Sequence, residues 1–432
     1  MSTVAEPVGA GAAPEASERT SSRWGWILVG ILGALVALGI GVWIYQLSQG
    51  LQITNMRDNV IWGLYIISFM FFVGLSAGGL IVASSGRLFN IDRFKPITRL
   101  AALEATVAIA TAALLIIPDL GHPGRIYNLF IHAHWLSPMI WDITVILVYL
   151  VLSLIYLWVY TRRDLAARGS WAALGAHPSS PEAVKSDSRF TYVLAWIALP
   201  AAVLVHSITA WIFGLQISRG FWYTAIMPPL FIASALVSGM ALVIVLALIS
   251  RRMGKVTFDD ELMSSLGKLL GVFVAVEGFL LFCEILASYY PGVPGEAARQ
   301  LFTGKYLPGF LVEVVVGLAI PFVLMAIRPL RRHMWVVALA SVLAFIGIFV
   351  HRANLIVIGL GQAPIPLSPG TPLGTPQESG SSFATSSTYF PSLTEFLIVI
   401  GIVSLACLLF AAGMRWLPLR EGKARSSGVS GR

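Results

Sequence analysis

Charge is scarce in this 432-residue chain: Asp, Glu, Lys and Arg together supply 12% of it, against 57% hydrophobic residues. Soluble domains carry about twice that share of charge. With a mean hydropathy of +0.81, a soluble globule is excluded. Cysteine is scarcer still. Cys283 and Cys407 stand alone in separate apolar runs, so neither a disulfide framework nor a metal site is supported. No Cys-x-x-Cys-His string offers covalent haem attachment. A basic leader is missing too. Glu6, Glu15 and Glu18 interrupt the N-terminal segment, and the apolar run after it is too long for a signal-peptide core. Residues 1–22, rich in Ala, Ser, Glu and Pro, read as a disordered tail.

What is present is apolar length. Runs with few charges recur at 26–47, 58–86, 97–118, 138–160, 190–214, 222–250, 263–290, 308–327, 334–361 and 392–417. About 20 apolar residues cross a bilayer as a helix. These runs are too long and too uniformly apolar for barrel strands, and lipid tolerates no open backbone. The expected fold is an all-α integral membrane protein of ten transmembrane helices. With the N-terminus inside, 23 of the 29 Lys and Arg residues fall on the cytoplasmic side, five outside, and Arg352 within a helix. That bias makes both termini cytoplasmic. It also accounts for the net charge of +8, so no nucleic-acid partner is needed.

A parallel internal repeat organises the runs. Trp62 precedes Gly79 by the same 17 positions that separate Trp222 from Gly239, and Glu104 precedes Pro118 by the same 14 that separate Glu277 from Pro291. Helix 4 opens with Pro138 and Asp142, helix 8 with Pro308 and Glu313; His206 lies eight residues before Gly214, and His351 eight before Gly359. Parallel repeats about an axis along the membrane normal are a known architecture. The expected division is tail 1–22, flanking helix 23–50, a four-helix bundle 51–215 (helices 2–5), a second bundle 216–361 (helices 6–9), an outer loop 362–391, and a flanking helix with cytoplasmic tail 392–432. The 161–189 connection is polar and cytoplasmic. The outer loop lacks Lys and Arg and is rich in Gly, Pro, Ser and Thr; it reads equally as a cover for a docked partner or as a plain flexible loop.

Ionisable groups gather at one outer edge: Asp119-Leu120-Gly121-His122-Pro123-Gly124-Arg125, then His132, His134 and Ser137-Pro138-Met139-Ile140-Trp141-Asp142. Such groups at membrane depth are costly and mark sites. Releasing or capturing the protons of a lipid-soluble quinol needs hydrogen-bonding groups near each oxygen, one titrating near neutrality as His does. A desolvated carboxylate also serves. His122, His134 and Asp142 are the candidate catalytic residues, with Asn59, Trp62, Tyr65, Arg125 and His132 as candidate pocket wall. Two blander readings stand beside this one. Asp119 and Arg125 would also make a helix-capping ion pair, and His132 and His134 would also sit at an interface with wet tips.

Deeper in the bundle lie Glu104, Glu277, Glu284, His206, His351 and Arg352. Glu277 and Glu284, seven residues apart, share a helix face. Chains of such groups relay protons; equally, Glu277 and Arg352 would form a structural lock. His206 and His351, one per bundle, read as hydrogen-bonded core histidines rather than paired haem ligands. Gly74-Leu75-Ser76-Ala77-Gly78-Gly79 is a close-packing signal.

Several of these strings resemble the NrfD/PsrC family of integral membrane subunits. Trp62-Gly63-Leu64-Tyr65 with Val73-Gly74-Leu75-Ser76-Ala77-Gly78-Gly79 resembles its opening core helix. Residues 119–125 resemble its Asp-Leu-Gly-Arg-Pro loop, with His122 where Arg is common. Residues 137–142, His206-Ser207 and Pro228-Pro229-Leu230-Phe231 are similar to the ten-helix branch of alternative complex III and of sulfur- and sulfate-respiring complexes. The resemblance covers about residues 55–360. It implies a bacterial inner-membrane subunit that exchanges electrons between menaquinone or ubiquinone and an extracytoplasmic iron–sulfur subunit. A molybdopterin-type or multihaem protein would complete the complex, and this chain would hold no haem or metal of its own. It also implies a quinone pocket near the outer face of the first bundle, with Asn59, His122, His134 and Asp142 in it. Two other classes remain: a secondary transporter, for which inverted repeats and broken helices are the usual signs, and a purely structural anchor.

Overall fold

The computed structural model describes residues 16–57, 60–167, 169–173, 181–290, 295–361 and 389–417. Among these residues, ten helices are long and apolar enough to cross a membrane: α1 (Ala16–Gln49), α2 (Leu64–Leu88), α3 (Lys95–Asp119), α4 (Pro138–Ala167), α5 (Pro181–Gly214), α6 (Met227–Arg252), α7 (Asp260–Tyr289), α8 (Leu307–Ala326), α9 (Met334–Leu360) and α10 (Leu393–Trp416). Among the described residues there is no strand. The all-α, ten-span expectation is met. The chain is a multi-pass integral membrane protein.

Prolines sharpen several boundaries. Pro138 and Pro181 open α4 and α5, and Pro228 lies in the first turn of α6, where the missing N–H is no loss. The connection expected over 161–189 is therefore shorter, because both flanking helices run on into it. α1 is drawn from Ala16, seven residues before the expected start at 23. α2 starts later than its apolar run, at Leu64. Its first amide donates to Tyr389 (2.6 Å) and Glu395 (3.3 Å) ahead of and within α10, so the cap comes from across the fold. α8 departs most from the expected regular helix. Val312–Ala319 is π-helical. Pro321 follows it, and a proline ring clashes with the carbonyl four residues back and offers no N–H, which suits the widened turn. Such bulges often sit at functional sites.

α2 is the centre. It packs on α3, α5 and α6; α3 packs on α4 and α4 on α5. α6 likewise packs on α7 and α9, α7 on α8 and α8 on α9, while α1 lies against α10 and α10 against α3. Small residues allow the α2–α6 crossing: a Cβ on Gly78 would stand 2.8 Å from the Cα of Gly239, closer than van der Waals contact. Close approach replaces the hydrophobic drive that lipid removes. Polar stitches reinforce it. Ser76 Oγ donates to the Ala105 carbonyl (2.6 Å), and the Tyr149 hydroxyl donates to the Ser76 carbonyl (3.1 Å), joining α2, α3 and α4.

Candidate functional site

Asp119 ends α3, and Gly121 follows in the left-handed region (φ +65°), which turns the chain back along the membrane edge. Pro123–Arg125 forms a tight turn and Asn128–Ile131 a single helical turn before α4. His122, Arg125, His132 and His134 are all exposed on this loop. Asp142, one turn into α4, is 3% exposed. It therefore points neither into lipid nor out to solvent. Thr209 of α5 places its Oγ1 2.6 Å from Asp142 Oδ1 and 3.0 Å from the Val205 carbonyl. The hydroxyl has one proton. It either donates to the carboxylate, or accepts from a protonated Asp142 while donating to Val205. The arrangement holds the carboxyl in both protonation states.

The imidazoles and Asp142 do not meet in a hydrogen bond; the partner the structure gives Asp142 is Thr209. Asp119 and Arg125 form no ion pair among the described residues, and Asp119 Oδ1 has no protein partner. Asn59 lies outside the described residues. Trp62 stacks on Trp222 (6.0 Å, 26°) and meets Phe213 edge-on (5.6 Å), so it fills the α2–α5–α6 junction. Tyr65, fully buried, donates to Gln46 Oε1 of α1 (2.5 Å). Gln46 in turn donates to the Pro118 carbonyl (2.8 Å). Tyr65 therefore faces the flanking helices, because Gln46 offers the acceptor its hydroxyl needs there.

Around α9 a second polar group is assembled. Arg352, 1% exposed, lies 3.8 Å over the Phe231 ring. It reaches Ser234 Oγ and, at 3.1 Å, His206 Nε2. Arginine only donates, so Nε2 is an acceptor and His206 carries its proton on Nδ1. His351 Nδ1 stands 2.8 Å from Glu313 Oε1, and Asn354 Nδ2 donates to Glu313 Oε2 at 2.5 Å. The Glu277–Arg352 lock, one of the two readings weighed for these residues, is not formed as a direct pair among the described residues; Arg352 Nη2 is bonded to Ser234 and His206 instead. Glu277 Oε2, Glu284 Oε1 and both Glu104 carboxylate oxygens are buried without protein partners. Glu104 is packed against Gly79 of α2.

Thr209, Glu313, Asn354 and Glu395 were not among the site residues expected from sequence. Glu313 was visible only as the counterpart of Asp142. Ser392-Leu393-Thr394-Glu395 carries the capping-box signature, and the box is formed. Glu395, wholly buried, also accepts from the Asn55 amide at 2.9 Å.

The family model described as "Polysulphide reductase, NrfD" matches residues 52–364. The chain belongs to this family. Among its relatives is a Halobacterium salinarum protein that carries the name dimethyl sulfoxide reductase membrane subunit, 40% identical over 92% of each chain. An Hdr-like menaquinol oxidoreductase integral membrane subunit of Archaeoglobus fulgidus is 28% identical over 92% of this chain and 94% of its own. A menaquinone reductase integral membrane subunit of Nitratidesulfovibrio vulgaris is 24% identical over 96% of each. In NrfD-family terms, the residue strings that carried the resemblance fall on α2, the α3–α4 connection and the α5–α6 pair.

Proposed function

We propose that this chain is the quinone-interacting membrane anchor of a respiratory oxidoreductase complex in a bacterial inner membrane, with both termini cytoplasmic. In this reading it passes electrons between menaquinone or ubiquinone and an extracytoplasmic iron–sulfur subunit, itself joined to a molybdopterin-type or multihaem protein. The final substrate is handled by another chain.

The observation that carries the reading is Asp142. It is a carboxylate within a membrane helix, 3% exposed, with one hydroxyl as hydrogen-bond partner on Oδ1. Keeping such a group in place is costly unless it works. A quinone head supplies oxygens that lose or gain protons as electrons move, and Asp142 takes or returns one of them while Thr209 holds its orientation. The exposed His122 and His134 pass that proton to outer water, imidazole being the side chain suited to exchange near neutrality. Arg125 and His132 line the loop, and Glu104, Glu277, Glu284, His206, His351 and Arg352 are read as a proton path through the bundle. The relatives support the quinone assignment, since two of them bear menaquinol or menaquinone in their names.

Equilibrium binding of a quinol analogue to the purified protein tests this. Binding weakened in Asp142→Asn supports the site. Unchanged quinol turnover by the intact complex carrying that substitution removes it.

A further inference from the structure

The helices α6–α9 hold a counterpart of the Asp142 arrangement. Asp142 on α4 is bonded by Thr209, three residues past His206 on α5. Glu313 on α8 is bonded by Asn354, three residues past His351 on α9. Glu104 on α3 and Glu277 on α7 each carry buried oxygen without a protein partner. Trp62 and Trp222, equivalent in the sequence repeat, stack on each other. The second half adds two volumes. A groove of about 940 Å³ opens between α7 and α8, walled by Val274, Leu281, Phe282, Phe310 and Phe322 and polar at Tyr289, Arg299 and Thr303. Behind it, a chamber of about 20 Å³ is lined by Glu284, Glu313, His351 and Asn354. Leu281, Ile285 and Phe310 wall both. Glu284 and His351 are 3% and 5% exposed, and Glu284 Oε1 and His351 Nε2 lack protein partners. The chamber is large enough for about one water.

We infer that the α7–α8 groove is a second binding site for a long-chain isoprenoid quinone, its head at the Arg299–Thr303 end and its tail along α7. The inference rests on the reading of this chain as a quinone subunit. Three observations favour that occupant over a phospholipid. First, Val274 and Tyr289 both line the groove, and 15 residues of helix span about 22 Å. One leaflet is about 15 Å deep, half of the ~30 Å hydrocarbon core, so an acyl chain ends at the midplane where an isoprenoid tail runs on. Second, Arg299 is a hydrogen-bond donor at the groove, as quinone oxygens require. Third, a groove that merely holds lipid needs no carboxylates and imidazole in the wall behind it, and these are costly at this depth.

The test is photolabelling of the full-length protein in phospholipid nanodiscs with an azido-naphthoquinone bearing an isoprenoid tail, read by peptide mapping and stoichiometry. Two labels per chain are expected, one on α3–α4 peptides and one on α7–α8 peptides. An added Cβ at Gly278 meets nothing within 4 Å, so Gly278→Trp fills the groove without a backbone clash and is expected to abolish the α7–α8 label alone. Phe322→Trp, on the opposite wall, serves as the second variant and is expected to do the same. Asp142→Asn is expected to abolish only the α3–α4 label. If that substitution leaves both labels, the first-site reading fails and this one survives. Absence of an α7–α8 label in the wild type, or its persistence in both tryptophan variants, overturns the inference. Loss of co-purified phospholipid from those variants without a change in labelling overturns it in favour of lipid.

Discussion

Arg352 of α9 donates to Nε2 of His206 on α5, at 3.1 Å across the buried centre of the fold. The guanidinium is anchored by a histidine, a serine and the Phe231 face. Its removal would leave His206 and Ser234 without their shared donor and the Phe231 face without its cation. Breaking a buried charge arrangement by removing one member typically costs about 3–5 kcal/mol. Arg352→Gln is therefore expected to lower the detergent-solubilised melting temperature strongly and to reduce assembly. Ser234→Ala is expected to cost only about 1 kcal/mol. Thermal melts of the two purified variants check the ranking; equal, small losses would show that the guanidinium is not the hub.

Thr209 offers a graded test of the first site. Thr209→Val removes the hydroxyl and keeps the shape, so the orientation of Asp142 loosens while its carboxyl remains. A net hydrogen bond of about 1 kcal/mol corresponds to roughly a fivefold drop in kcat/KM for quinol oxidation by the complex. Asp142→Asn removes the proton acceptor itself, and a loss of about a hundredfold or more is expected. Steady-state kinetics with a soluble quinol decide it, and equal effects of the two substitutions would sink the division of roles.

The fold was legible because one physical demand, enough apolar length to span lipid, writes itself along the chain at every crossing. Nothing in that demand says which way a side chain turns. Tyr65 was expected in a pocket wall from its level in the membrane. It turns toward α1, because the acceptor it finds is Gln46, 19 residues earlier. The Glu277–Arg352 pairing was argued from charge alone, and His206 and Ser234 captured the guanidinium through contacts 146 and 118 residues away in sequence. Asp142 stood out most among the candidates because its signal was local: an acid inside an apolar helix. Thr209 carried no such signal, since threonine is unremarked in any membrane helix. Glu395 did carry one, three residues after Ser392.

Glu277 is 1% exposed and one of its oxygens has no protein partner. Glu277→Gln keeps size and hydrogen-bonding capacity and removes the exchangeable carboxyl proton. If the buried acids relay protons, this variant is expected to reduce proton movement by the reconstituted complex while quinol binding stays as in the wild type. Proteoliposomes with an internal pH dye read the first quantity and analogue titration the second. Lost assembly without a selective proton defect would assign Glu277 a structural role.

Glu395 binds the N-terminal ends of α2 and α10 into one unit, accepting from Asn55, Leu64, Ser392 and Tyr389. The Tyr389 phenol is held above its usual 10.0, by burial first and by the Glu395 carboxylate second. The folded chain keeps this proton at a pH where the unfolded chain releases it. The contribution is therefore whole below about pH 10 and is lost as pH rises beyond that, with a slope of up to ~1.4 kcal/mol per pH unit. Tyr306 behaves alike, pushed up to about 12 by burial, so only a difference isolates Tyr389. Between about pH 9 and pH 11, wild type is expected to lose more stability than Tyr389→Phe, as measured by melts across that range. Glu395→Ala is expected to be about 3 kcal/mol less stable at neutral pH and to flatten the same difference. Parallel alkaline curves for wild type and Tyr389→Phe would mean that the phenol is not shielded by this cap.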